Sequence, residues 1–200
     1  MIFLIRHGET AGNAARILQH PDTPLSPRGD AQAERLARRL RAAGITGIIS
    51  SDFTRAAMTA WHLSRATGRP IAFESLLHER NFGDIRGTAY DDLGFDPFDP
   101  GYAPPNGESW DVFHARVDLA WARIRKVAAA TDGHLAVVTH GLVCKSLAAR
   151  HLKLPEGKSV PERWENTSIT IIDDRVPWRV QLLNCITHLH DLPPTANGIA

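Results

Sequence analysis

Ile2-Phe3-Leu4-Ile5-Arg6-His7-Gly8-Glu9-Thr10-Ala11-Gly12-Asn13 is the stretch on which the reading of this chain turns. Its first four residues form an apolar run as long as a buried strand, and the run empties at once into a cation, an imidazole and a glycine. Gly8 leaves the backbone free to turn sharply or to come close to an anion. Arg6 supplies a planar fork matched to phosphate oxygens. His7 supplies a nitrogen able to attack as a nucleophile or to move a proton near neutral pH. Open α/β sheets bind their ligands at the carboxyl ends of core strands. The chain reads as an enzyme.

The same pattern recurs further on, where Leu135-Ala136-Val137-Val138 runs into Thr139-His140-Gly141 and then a helix to about Leu152. Between the two, Ser26-Pro27 marks a helix start, a capping hydroxyl followed by proline at the first helical position. Ala33, Leu36, Ala37 and Leu40 keep one face of that helix apolar, and Gly44 stops it. Ile48-Ile49 is a short buried strand; Ser50-Ser51-Asp52 offers caps for a helix through Leu63 to Gly68, and a third strand covers about 71 to 73. Ser109 caps a helix whose Trp110, Phe113, Val117, Trp121, Ile124 and Val127 recur at helical spacing, a core stripe. Two β-branched stretches, 168 to 172 and 178 to 183, close the sheet. Strands alternating with helices predict an α/β fold, a three-layer sandwich around a mainly parallel central sheet. The 200 residues predict one domain over 1–200. Within it, an irregular insert at about 80–108 is too long to be a mere connector.

Composition narrows the partners. A net charge of +1 argues against nucleic acid or a membrane surface drawn by bulk charge. No apolar stretch approaches the roughly 20 residues that cross a bilayer. Cys144 and Cys185 are too few for a disulfide framework. A cytoplasmic enzyme acting on a small molecule is expected; the oligomeric state stays open, a homodimer included.

Arg55, four residues after Ser51 at a helix start, sits at a natural anion site. Glu79 follows the apolar pair Leu76-Leu77 with one histidine between. Cations, a nucleophile and an acid are the requirements of phosphoryl transfer. The chain resembles the histidine phosphatase superfamily, the phosphoglycerate mutase-like proteins, over essentially its whole length. The likeness rests on Leu4 to Asn13, Pro24-Leu25-Ser26 with Gly29, Ser51-Asp52 with Arg55-Ala56 and Thr59-Ala60, Glu79 with Gly83, Gly107-Glu108-Ser109, and Val138 to Gly141.

That resemblance implies roles. His7 would attack phosphorus and become a phosphohistidine. Arg6, Arg55, His140 and Gly141 would cradle the phosphoryl oxygens, with Asn13 adding a hydrogen bond. Glu79 would protonate the leaving alkoxide and then activate water. Gln19 and Arg80 would touch the substrate. No metal and no other cofactor is implied, and the substrate would be a small phosphorylated metabolite.

Within the family, Glu79-Arg80 resembles the mutase form of this segment, whereas Thr88 to Asn106 carries Asp91, Asp92, Asp96 and Asp99 and no Lys or Arg. Those carboxylates are expected to repel a bisphosphorylated acid, which favours a phosphatase over a cofactor-dependent phosphoglycerate mutase. The aromatic and proline content of the insert suits a neutral, apolar or cationic leaving group. Two departures from the family touch the substrate side: Ile85-Arg86 stands where a Trp-Glu pair is common, and Asn106 where a glycine is common. Three rival readings are weaker. Cys144 to Arg150 fits the Cys-x5-Arg spacing of cysteine-dependent phosphatases but is built of helix formers. His188 and His190 have a strand spacing that could serve zinc. The third rival is a catalytically silent phosphoryl-binding protein on the same fold.

Overall fold

The structure, a computed structural model, describes residues 1–192. Its sheet holds six strands: β1 (Ile2–Arg6), β2 (Ile45–Ser50), β3 (Ile71–Phe73), β4 (His134–Thr139), β5 (Ile169–Ile172) and β6 (Val180–Cys185). They lie in the order β3-β2-β4-β1-β5-β6. The pairs β3–β2, β2–β4 and β4–β1 are parallel, and β5 is antiparallel to both neighbours. The reversal at β5 is the one strand direction that hydrophobic runs alone do not encode.

Among the described residues five α-helices complete the layers: α1 (Ala11–Ala14), α2 (Pro27–Leu40), α3 (Thr54–Thr67), α4 (Trp110–Ala129) and α5 (Gly141–His151). Successive side chains of a strand point to opposite faces, and β1 shows what that does. Ile2 and Leu4 join Leu135, Val137 and Ile49 under α4 and α5, against Phe113, Trp121, Ile124 and Leu147. Phe3 and Ile5 join Ile48, Ala136 and Val138 on the other face, against Leu36, Leu40, Ala56 and Leu63 of α2 and α3. Each fully buried aliphatic side chain contributes roughly 1.5–3 kcal/mol. The aromatic stripe of α4 is therefore core.

Helix ends mostly follow their sequence signals. Ser26 accepts from Gly29 N–H at 3.0 Å, and Ser109 accepts from Val112 N–H at 3.3 Å. The start of α3 differs. Its cap is Phe53, with no side-chain bond, because Ser51 Oγ accepts from Phe53 N–H at 3.2 Å while also meeting the ring of His140. The short α1 was not anticipated; a capping box between Thr10 and Asn13 makes it.

The insert is held by turn chemistry. Asp96 and Asp99 each accept from the amide two residues on, Phe98 N–H at 2.8 Å and Gly101 N–H at 2.7 Å. Asn106 has φ +56, a left-handed conformation that explains a glycine's usual place there. His188 lies in a 3-10 turn, not a strand, and both its ring nitrogens already have partners, Arg39 and Thr167. Among the described residues no group of three or more His, Cys, Asp or Glu could hold a metal ion. No helix there is long and apolar enough to cross a membrane.

Two glycines let the first signature dock. A Cβ on Gly8 would lie 2.6 Å from the carbonyl oxygen of Gly29, and one on Gly29 would lie 1.9 Å from the carbonyl oxygen of Glu9. Neither backbone can move cheaply, since Ser26 N–H also bonds Glu9 O at 2.9 Å. Gly29→Ala is expected to cost about 3 kcal/mol or more, at the upper end for overpacking. Urea denaturation checks this; a midpoint within error of wild type would contradict the packing described.

Candidate active site

Because β1 and β4 are parallel neighbours with Arg6 paired to Thr139, their two His-Gly tips emerge side by side. His7 N–H donates to Thr139 O at 2.9 Å, carrying the ladder one residue past the strand, and the His7 and His140 rings lie 5.1 Å apart. Gly8 N–H donates to Thr59 Oγ1 at 3.0 Å, which ties the tip to α3. Arg55 occupies the first turn of α3, only 2% exposed. Glu79 follows a 3-10 turn, Ser75–Leu77, that is fixed beneath Thr139, whose hydroxyl donates to Leu77 O at 2.7 Å.

A cavity of about 1250 Å³ opens here. Arg6, His7, Asn13, Gln19, Arg55, Glu79, Arg80 and Gly141 all reach its wall. His140 is fully buried and not part of the wall; it lies behind His7, with its Nε2 2.9 Å from Ser51 Oγ. The sequence-predicted residues thus converge, with Arg80 differently employed.

The nucleophile candidate has a defined tautomer. His7 Nδ1 lies 2.7 Å from Gly8 O. A carbonyl only accepts, so Nδ1 carries the proton and the lone pair is left on Nε2. Burial, then Arg55 and Arg6, hold the His7 pKa well below its ordinary value, so the ring is neutral. Burial also depresses His140, helped by Arg55 and His7. Burial likewise raises the Glu79 carboxyl, against the opposing pull of the Arg80 and Leu142 amides, Arg55 and Arg6. Those amides donate to Glu79 at 3.0 and 3.2 Å, so the carboxyl is seated at the first turn of α5.

Arg6 donates through one terminal nitrogen to Trp164 O, and Arg55 donates to His20 O at 2.9 Å. Arg6 Nε, Arg55 Nε and His140 Nδ1 are buried yet have no partner among the described residues. Buried polar atoms are normally paired; two guanidinium donors and an imidazole nitrogen left over in one place suit an anion. Asn13 Oδ1 accepts from Thr10 N–H at 3.2 Å and Asn166 Nδ2 at 3.3 Å, so its amide nitrogen is free to donate to a ligand. Gln19 is oriented the same way, its Oε1 accepting from Thr10 at 2.8 Å.

Arg80 is the correction. The residue is 1% exposed, and its guanidinium donates to Glu108 O at 3.0 Å, Pro97 O at 3.2 Å and Tyr102 O at 2.6 Å and lies 4.0 Å over the Trp110 ring. It clamps the insert and is not a free substrate ligand. Nor do the insert's acids guard the entrance: none of Asp91, Asp92, Asp96 and Asp99 reaches the cavity wall, whereas Arg16, Arg86, Lys145 and Arg163 do. The expected repulsion of a polyanion is not built in. Phe82, Tyr90, Phe98 and Pro100 are the insert's aromatic and apolar contributions to the wall.

Three residues went unread. Arg116 binds Glu108 at 2.7 and 2.8 Å and donates to the carbonyls of Leu76 and His78, bracing the segment that carries Glu79. Asn166 donates to His7 O at 3.0 Å, and Thr167, at φ +55, donates its N–H to Arg6 O and His7 O. An Asn-Thr pair ahead of a β-branched run was the available signal. Cys144 is a buried member of α5 whose thiol is pushed up by burial, so the Cys-x5-Arg spacing is coincidental.

The family model for the histidine phosphatase superfamily (branch 1) matches residues 2–186. The chain belongs to that superfamily. It is 32% identical to the probable phosphoglycerate mutase GpmB of Salmonella arizonae over 206 residues, with 94% of each chain covered. Among solved structures it is similar to Bacillus stearothermophilus YhfR, with TM-score 0.80 and 30% identity, covering 94% of this chain and 98% of that one. A mycobacterial glucosyl-3-phosphoglycerate phosphatase superposes with TM-score 0.78 at 28% identity, covering 92% and 98%. Histidine phosphatases thus include relatives named for hydrolysis and relatives named for isomerisation.

Proposed function

We propose that this chain is a phosphomonoester hydrolase that works through a phosphohistidine at His7. The observation that carries the reading is the His7 ring, with Nδ1–H fixed on Gly8 O and a neutral Nε2 beside two arginines with unpaired donors. Nε2 attacks phosphorus as the ester P–O bond breaks, and Glu79, protonated, gives its proton to the departing alkoxide. A water then attacks the phosphohistidine while Glu79 takes its proton back, the P–N bond breaks, and inorganic phosphate leaves. Arg6, Arg55 and Asn13 hold the oxygens throughout, Gln19 meets the leaving group, and His140, outside the wall, packs against the His7 ring.

Hydrolysis is preferred over isomerisation because Arg80, the residue that makes this segment resemble a mutase, is engaged by loop carbonyls. The relative named as a mutase and the additional cations of the wall support the second reading, a phosphoglycerate mutase. Incubation with 3-phosphoglycerate and catalytic 2,3-bisphosphoglycerate separates them. Release of inorganic phosphate without 2-phosphoglycerate is expected; 2-phosphoglycerate formed faster than phosphate would reverse the order.

A further inference from the structure

Counting charge around the bound phosphoryl group exposes a surplus. Arg6 and Arg55 together carry +2, which a phosphoryl dianion matches, and His7 and His140 are neutral. Of the further cations in the same wall, Arg16, Lys145 and Arg163 are solvent-exposed, whereas Arg86 is half-buried and its guanidinium has no hydrogen bond or ion pair to any described residue. Burial lowers its pKa, and it is close enough to Arg55 to depress that residue as well. Glu108, the anion it senses most, is already held bidentate by Arg116. Glu108 does not reach the wall, and the carboxyl groups that do reach it do not answer Arg86: burial favours the neutral form of Glu79, Asp111 and Glu162 are solvent-exposed, and Glu9 is paired with Arg28 at 3.4 Å. A half-buried, repelled and unpaired cation is costly in the free protein. It becomes favourable when a ligand brings a matching charge.

We propose that Arg86 is a specificity-determining residue that receives a carboxylate on the leaving-group side of the substrate. One guanidinium fork and one negative charge correspond in number and in bidentate geometry. The inference rests on the proposed hydrolase reading and deepens it. The substrate is a phosphorylated hydroxy acid, contrary to the neutral or apolar leaving group that the insert's composition suggests. Arg86 also departs from the pattern of the resembling family, which commonly has a glutamate there.

The matched pair 3-phosphoglycerate and glycerol 3-phosphate differs only in a carboxylate against a hydroxymethyl group. Affinity for both is read by calorimetry in the His7→Ala protein, where turnover does not intervene, with and without Arg86→Gln or Arg86→Lys. The preference for 3-phosphoglycerate is expected to fall about tenfold or more with glutamine and to be only partly kept by lysine, which supplies the charge without the fork, an effect of the size that one charge-assisted contact gives. Unchanged preference in Arg86→Gln, or equal weakening of both ligands, would overturn the proposal. So would a loss confined to fructose 1,6-bisphosphate, tested against fructose 6-phosphate, which would assign Arg86 to a second phosphate. Failure of the hydrolase reading shows elsewhere, as no phosphate release by the protein with His7 intact. Since Arg86 is unpaired, Arg86→Gln is also expected to leave the melting temperature of the free protein equal or higher, which separates a lost ligand contact from a damaged fold.

Discussion

His7→Ala is expected to lower kcat/KM for p-nitrophenyl phosphate by roughly ten-thousandfold or more, the scale seen when a covalent nucleophile is deleted. Nothing nearby can replace it. The His140 nitrogen facing Ser51 is engaged and its ring is fully buried behind His7, and Cys144 is a buried thiol inside α5. The loss should fall on kcat, because the arginines that bind the phosphoryl oxygens remain. The same protein, denatured after a pulse of labelled substrate, should yield an acid-labile label on residue 7 in wild type and none in the variant. Residual activity within tenfold of wild type, or label on any other residue, would dismiss the mechanism. Folding is checked alongside by far-ultraviolet circular dichroism, since His7 is a tightly packed side chain at 3% exposure.

Glu79→Gln should separate the two half-reactions. A positioned general acid–base contributes about 10²–10⁴-fold, but p-nitrophenolate leaves without a proton. With p-nitrophenyl phosphate the variant is expected to release a rapid burst of one p-nitrophenol per site and then turn over slowly, because water activation has lost its base. With an alkyl phosphate there should be no burst. Identical proportional losses on both substrates, with no burst on either, would remove Glu79 from the acid role. The pH dependence has a definite sign. Burial raises the Glu79 pKa above its ordinary 4.5 and drives His7 below its ordinary 6.5. The alkaline limb of kcat/KM therefore reports loss of the Glu79 proton at a pH above 4.5, and its acid limb reports protonation of His7 below 6.5. Stability follows the same linkage. A raised folded pKa means that the folded state holds the proton more tightly, so the contribution is fully present below pH 4.5 and is lost as pH rises through the shifted value. Glu79→Gln should accordingly raise the melting temperature at neutral pH, a gain that disappears below pH 4.5.

Much of this site was legible because its residues sit at discontinuities of pattern. Arg6, His7 and His140 interrupt apolar strands, and Ser26 and Ser109 cap helices locally, so each is announced by its immediate neighbours. The misreadings share a different cause. Arg80 reads as a substrate contact by resemblance and the insert aspartates as a repulsive charge, whereas their partners are carbonyls and amides of the insert's own backbone, which no residue type announces. Arg116 acts across 37 residues on the carbonyl of Glu79, and such long-range hydrogen bonding leaves no local signature. Ser51 reads as a cap because its hydroxyl precedes a helix; the sheet brings His140 to it from another strand. Arg86 is a departure visible in the sequence, but its meaning needs the cavity wall, which shows which charges already have partners.

The paired tips of β1 and β4 bear on how such an enzyme can diversify. The separation of the two imidazoles is inherited from the hydrogen-bonded ladder, a ruler made of main chain, and not from the loops above it. The region between Gly83 and Gly107 can therefore be exchanged for segments of other lengths and chemistries while the reacting atoms keep their places. A graft there should retune which esters are accepted and leave the chemical step itself intact.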